Sequence, residues 1–319
     1  MKDIFRSNNQ QNRNLKPDPE SERITENAKN RRSRYLSDKS ARAGVLICAA
    51  LSFVIIIAII VFILQEGLPA FIEVGLFKFL FGLDWSPSND KFGILPMIVG
   101  SLAVTIGSMI LAIPLGIACA ILLAEVSPPK IRNLLRHAVE LLVGIPSVVY
   151  GLVGMAVIVP FIRDIGGSGY SVAAACLVLM AMVLPTIISI SEDSIRAVPN
   201  KYREGSLALG ATQWQTIRYV LIPAAKSGIA ASIVLGMGRA IGETMAMIMV
   251  IGNAVIIPTS PLDPARTLTG NIAVEINYAT GLHESALFGT AVVLLIFIIL
   301  LNTLIFNFLK RGNSESGST

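Results

Sequence analysis

Charge is scarce in this sequence. Only 15% of its 319 residues are charged, against about 25% in soluble domains, while 53% are hydrophobic. Histidine occurs twice and cysteine three times. Cys48, Cys119 and Cys176 each fall inside an apolar run, where free cysteine behaves as a small hydrophobe rather than as part of a disulfide or zinc framework. No Gly-x-x-x-x-Gly-Lys-Ser/Thr stretch is present, so the chain has no P-loop with which to bind ATP. Gly166-Gly167-Ser168-Gly169 sets a serine among glycines, but His137 and His283 lie at the ends of apolar runs, out of reach of a serine nucleophile. An exposed turn is the better reading. The sequence therefore calls for no catalytic residues, no cofactor and no metal.

What the chain has instead is long charge-free runs: 44–64, 92–124, 141–162, 165–191, 244–262 and 285–309. Crossing a hydrocarbon layer roughly 30 Å thick takes about 18–20 apolar residues, and these runs are long enough. They exclude a water-soluble protein and predict an all-α membrane protein with six transmembrane helices. The spans are placed near 44–64, within 92–124, and near 138–162, 170–191, 227–252 and 285–309. Pro114, Pro146 and Pro185 fall inside them and are tolerable where neighbouring helices satisfy the freed carbonyls.

The few charges are sorted. The net charge of +5 resides in residues 1–43, with 11 Lys/Arg against 6 Asp/Glu, and the remainder is neutral. A nucleic-acid partner is thereby excluded. The segment is read as a disordered basic tail resting against anionic membrane lipid. Together with 125–137, 192–226 and 310–319 it places 21 basic residues on one side, against four (Lys78, Lys91, Arg163, Arg266) on the other. The positive-inside rule makes the first side cytoplasmic, so both termini are expected there. The domain reading is a tail at 1–43, a membrane domain at 44–310 that contains a cytoplasmic segment at 194–223, and a short cytoplasmic tail at 311–319.

One basic residue belongs to neither side. Arg239 lies mid-way along the fifth predicted span in Arg239-Ala240-Ile241-Gly242-Glu243-Thr244. At helical spacing Arg239 and Glu243 share a face, and a charge at that depth costs about 2.5 kcal/mol or more if it meets lipid. Both are expected to face a path or the bundle interior. A cation in a poorly screened path favours an anionic solute, with Glu243 partly neutralising it so that the anion is not trapped. An internal ion pair that merely locks helices is the competing reading.

Glu204-Gly205-Ser206-Leu207-Ala208-Leu209-Gly210 is followed after nine residues by Val220-Leu221-Ile222-Pro223, which suits two short helices joined at Gly210. The stretch resembles the signature of ABC importer permeases: Glu-Ala-Ala, three residues, Gly, nine residues, Ile-x-Leu-Pro. Gly205 and Ser206 stand for the alanines, and Val220 and Ile222 for Ile and Leu. Ile145-Pro146-Ser147-Val148-Val149-Tyr150-Gly151, Trp85-Ser86-Pro87 with Phe92-Gly93-Ile94-Leu95-Pro96, and the run Arg239–Asn253 resemble PstC-type permeases of bacterial phosphate ABC importers. The resemblance covers about 44–310.

It implies a type I ABC importer permease fold in the inner (plasma) membrane. The implied activity is import of inorganic phosphate from the periplasmic or external side by alternating access. Three kinds of partner are implied: a PstA-type second permease, two PstB-type ATPase subunits and a PstS-type phosphate-binding protein. Arg239, Glu243 and Thr244 would line the substrate path, and Glu204, Gly210 and Pro223 would belong to the segment that seats in the ATPase. Three alternatives stay open: a permease for another oxyanion such as molybdate or sulfate, an ATPase-independent carrier or channel, and a mainly regulatory subunit that senses phosphate.

Overall fold

The computed structural model describes residues 19–314, with side chains over 42–303, and the chain divides into two units at residue 62. The first unit is the leading part of helix α1 (Pro19–Ala70). Residues 19–43, expected to lack regular structure, are helical; residues 1–18 lie outside the described residues. Between Glu20 and Ala43 there is neither Gly nor Pro. A helix already nucleated by an apolar span can therefore grow outward at one hydrogen bond per residue. Along the span Val45, Phe53 and Ile56 are exposed, as suits side chains facing hydrocarbon.

In the second unit a wide π turn (Phe71–Gly75) leads from α1 into α2 (Leu76–Phe81). A two-stranded antiparallel hairpin follows, β1 (Trp85–Ser86) with β2 (Lys91–Phe92), in which Trp85 pairs with Phe92. Asp90 takes the left-handed conformation that closes its tip. Helix α3 (Leu95–Ile121) ends in a second π turn, Leu122–Val126. Arg132 caps that end, Nε donating to the Leu123 carbonyl at 2.7 Å and Nη2 to Ser127 at 3.0 Å. Helix α4 (Pro129–Gly144) is amphipathic. The chain breaks at Ile145-Pro146, then runs through α5 (Ser147–Val153), a third π turn (Gly154–Ile158) and α6 (Val159–Ile165). Gly166, Gly167 and Gly169 all have positive φ, so the glycine-rich stretch is the expected turn. The Ser168 hydroxyl is engaged by the Tyr170 carbonyl.

Helix α7 (Val172–Arg196) is capped by Ser171, whose Oγ accepts from the Ala174 amide. Helices α8 (Asn200–Ala208) and α9 (Gln213–Thr216) and a fourth π turn (Ile217–Leu221) lead into α10 (Ile222–Gly242). After these come α11 (Met245–Val250), α12 (Leu268–Glu275) and α13 (Leu282–Ser314). Among the described residues six segments are long and apolar enough to cross a membrane: Arg42–Phe81, Leu95–Val126, Ser147–Ile165, Val172–Arg196, Gln213–Gly242 and Leu282–Thr303. The count is as expected, but the third begins at Ser147 and not near 138, because the chain breaks at Ile145-Pro146, and the fifth is displaced from 227–252.

The central core packs α3, α7, α10 and α11 through residues such as Met109, Leu179, Val183, Ile187 and Met237. A second cluster around Phe79, Trp85, Phe92, Met97 and Leu287 closes the hairpin end. A third, with Ala120, Ile195, Ile217 and Leu221, closes the opposite end. Helices come to backbone contact where side chains are absent. A Cβ on Gly67 would stand 2.9 Å from the Gly289 nitrogen, so the end of α1 and α13 cross as closely as small residues allow in a membrane.

Candidate functional site

Helix α10 stops at Gly242, and Glu243 is extended (φ −70°, ψ 129°). The expected continuous helix through Arg239 and Glu243, with both on one face, is therefore corrected: the helical phase is lost between them. Hydroxyls satisfy the carbonyls at the break. Thr244 Oγ1 donates to Gly242 O at 3.2 Å, and Thr269 Oγ1, from the first turn of α12, donates to Glu243 O at 3.1 Å. The Glu243 carboxylate turns the other way, accepting from the Ala246 amide at 3.0 Å. An acid there complements the positive end of α11.

Arg239 occupies the last turn of α10. It is part-buried, with Nη1 donating to Thr186 Oγ1 at 3.3 Å. Thr186 is two residues past the centre of α7, so the guanidinium lies near the mid-depth of that span. Among the described residues no carboxylate reaches it, Glu243 included. Its charge is favoured instead by the carbonyl-rich C-terminal end of α10. Of the five N–H bonds of a guanidinium, one is used. Other arginines contrast with this. Arg203 is paired with Glu125, Arg136 with Glu140, Glu192 and Asp193, and Arg266 with Glu275. Arg239 and Thr244 thus flank the break that ends span five, the kind of helix discontinuity that lines solute sites in transporters.

The 204–223 segment forms the helix pair its sequence suggests. Gly210 has φ +85°, and the Gly210 and Ala211 amides donate back to the Leu207 and Ser206 carbonyls at 3.0 and 3.2 Å, a glycine-closed C-terminus. Thr212 opens α9 with a reciprocal capping box to Gln215. The Ser206 and Thr216 hydroxyls join the two helices at 2.9 Å. Arg203 and Gln213 Nε2 both hold Glu125, at the end of span two. The outward face carries Leu209 (90% exposed) and Trp214 (60%). Glu204 and Pro223 are exposed on the same segment.

Sequence reasoning missed a buried polar hub near the hairpin. Glu275 closes α12, is 6% exposed, and is bound by three separate parts of the chain. Trp85 Nε1 donates to Oε2 at 2.8 Å, Arg266 Nη1 donates to Oε1 at 2.6 Å, and His283 Nε2 lies 2.9 Å from Oε2. Arg266 Nη1 also donates to Asn271 Oδ1 at 3.0 Å, and its Nε to the Asn253 carbonyl. The available signal was an Arg, a Glu, a His and a Trp in outer segments of a charge-poor chain.

The Pro258–Asp263 loop lies beside an apolar groove of about 540 Å³ between α3 and α7, which no charged side chain lines. Asp263 Oδ2 draws the loop together, accepting from the Ser260 amide and from the Thr259 hydroxyl and amide at 2.8–2.9 Å. The Ser260 amide, then Thr259, hold its carboxyl below the usual carboxylate range. A depressed folded pKa contributes stability above the unfolded value of about 3.9 and loses it as pH falls through the folded one. The Thr259 and Ser260 amides are therefore expected to stay protected from exchange at pH 5 and to open below about pH 4. Protection unchanged at pH 2.5 would contradict this.

Residues 112–312 match the family model described as binding-protein-dependent transport system inner membrane component. The chain is 45% identical to the probable ABC transporter permease protein YqgH of Bacillus subtilis, over 86% of this chain and 92% of that one. It is 35% identical to the phosphate transport system permease protein PstC of Mesorhizobium japonicum, covering 76% and 81%. Among solved structures, a bacterial alginate ABC transporter shares the fold with a TM-score of 0.58 at 18% identity, over 87% of this chain and 96% of that one. The inward-facing MetNI methionine ABC transporter does so with a TM-score of 0.55 at 23% identity, over 68% and 95%. The chain belongs to the binding-protein-dependent transport system inner membrane component family, as a non-catalytic, multi-pass permease subunit of an ABC importer that works with a separate ATPase and a substrate-binding protein.

Proposed function

We propose that this permease is of the PstC type and carries inorganic phosphate inward. The observation that carries the reading is Arg239: a part-buried guanidinium at the helix break that ends span five, level with the middle of span four, with no carboxylate partner among the described residues. Such a cation keeps its full charge and its two-pronged N–H edge for an oxyanion. Similarity to PstC permeases supports phosphate as that oxyanion. Thr244 completes the path beside Arg239, while Glu243 shapes the break instead of neutralising the arginine. Both termini are cytoplasmic, and the basic residues of 1–43 lie against anionic lipid.

The partners of this reading are a PstA-type permease, two PstB-type ATPases and a PstS-type phosphate-binding protein. The exposed apolar face of 194–223, with Glu204, Gly210 and Pro223, seats in an ATPase subunit. Closure of the ATPases on ATP would move that segment and open the path outward, with Arg239 near the pivot depth. Uptake by the complex reconstituted in vesicles tests the reading. Labelled phosphate should enter only with ATP and the binding protein, while sulfate and molybdate should not. Preferential entry of either of those anions would name another oxyanion as the substrate. Phosphate flux through this chain alone would contradict an ATP-driven importer.

A further inference from the structure

We infer that Thr186 is the positioning residue that presents the Arg239 guanidinium to the transported anion, an inference that rests on the reading of Arg239 above. It begins with the seam between α7 and α10, where small residues set the register. A Cβ on Gly228 would collide with Ser194 Oγ at 2.1 Å. One on Gly236 would meet Val183 Cγ1 at 2.9 Å and Ile187 Cγ1 at 3.0 Å. Between them the Ser191 and Ser232 hydroxyls meet at 2.8 Å. Pairing 228 with 194, 232 with 191 and 236 with 183–187 runs the helices antiparallel, with α10 seated directly on α7.

Arg239 is one turn beyond Gly236, on the same face. Helical side chains lean toward their own N-terminus, so the guanidinium reaches back to the level of Thr186. Thr186 in turn is three residues from Val183, on the α7 face that receives α10.

The hydroxyl is turned toward the arginine and not toward its own helix. Several helix-borne hydroxyls bond back to the carbonyl four residues earlier, among them Ser194 to Ile190, Thr290 to Ala286 and Thr303 to Ile299. Thr186 Oγ1 instead accepts from Arg239 Nη1 at 3.3 Å, and among the described residues no other group bonds it. An arginine side chain loses much rotamer freedom when fixed. Anchoring one corner on a neutral hydroxyl restricts the head without cancelling its charge, as a carboxylate would. Nε–H and Nη2 make no hydrogen bond among the described residues. The Thr186 proton is itself free to be donated to an oxygen of the same anion.

The test uses the full complex in vesicles at saturating binding protein, with phosphate uptake and ATP hydrolysis measured together. Thr186→Val keeps the shape and removes the acceptor. It is expected to lower the phosphate moved per ATP about tenfold, the scale of one hydrogen bond to a charged group, while hydrolysis continues. Thr186→Ser should restore at least half of the wild-type ratio. A Thr186→Val ratio within twofold of wild type would overturn the inference, and so would a Thr186→Ser complex as defective as the valine variant. Should Thr186→Val fail to assemble, Thr186→Ala, which only removes atoms, is read by the same criteria. Arg239→Gln measured alongside separates the two levels. Its loss of uptake with a normal Thr186→Val ratio removes the positioning role alone, whereas its normal uptake removes the reading of Arg239 and this inference with it.

Discussion

Arg239→Gln is expected to reduce phosphate uptake by about a hundredfold or more while the complex assembles with normal yield. The magnitude follows from charge. Two unit charges 4 Å apart interact by about 4 kcal/mol at an effective dielectric of 20, and glutamine keeps hydrogen-bonding capacity but no charge. Assembly is spared because Arg239 holds no carboxylate, so its removal strands no buried anion; the loss is one 3.3 Å bond to Thr186. Arg239→Lys keeps the charge and loses the planar fork, and should fall between the two. Uptake by Arg239→Gln at the wild-type rate would dismiss Arg239 from the path. A failure to assemble would return it to the helix-locking role that its sequence position also allowed.

Glu275→Ala should act in the opposite way, through stability. The substitution strands Arg266, which is 15% exposed, together with the Trp85 indole N–H and His283. Removing one partner from a buried ion pair costs about 3–5 kcal/mol, more than most single substitutions cost. The purified variant is expected to melt well below wild type in detergent, with a poor yield of intact complex. Glu275→Gln keeps the shape and can still accept one hydrogen bond, so it should lose less. A Glu275→Ala melting temperature within about 2 °C of wild type would mean that solvent or neighbouring groups replace the carboxylate, and the hub would not be structural.

The sequence carried the spans because charge is so costly in hydrocarbon that its absence over 20 residues is a strong signal. It carried the 204–223 helix pair because Gly210 and Thr212 are residues whose backbone roles are narrow. The break in span five was not legible in periodicity. Met245–Val250 is as apolar and as helix-compatible as the turns before it, and no proline marks the gap. Gly242 and Thr244, a helix-stopping residue just before a helix-starting one, were the signal passed over. Arg239 and Glu243 stand out in the sequence as the only charges of that stretch, but their mutual orientation depends on two dihedral angles at Glu243. The Glu275 hub was hidden by distance along the chain: Trp85 is 190 residues from the carboxylate it binds. Nothing in a single sequence aligns an indole with an acid so far away.

The four π turns, at Phe71–Gly75, Leu122–Val126, Gly154–Ile158 and Ile217–Leu221, each add about one residue to a helix without lengthening its path through the bilayer. One residue is a rotation of about 100° about the helix axis. Each of these helices therefore has two angular phases, one on either side of its turn. A substitution scan that assumes a single 3.6-residue period would assign lipid-facing and protein-facing positions correctly on one side of Gly154 or Ile217 and invert many of them on the other. Deleting one residue within such a turn would restore a regular helix with both halves still facing their neighbours, whereas the same deletion elsewhere in the span would rotate everything beyond it by about 100°.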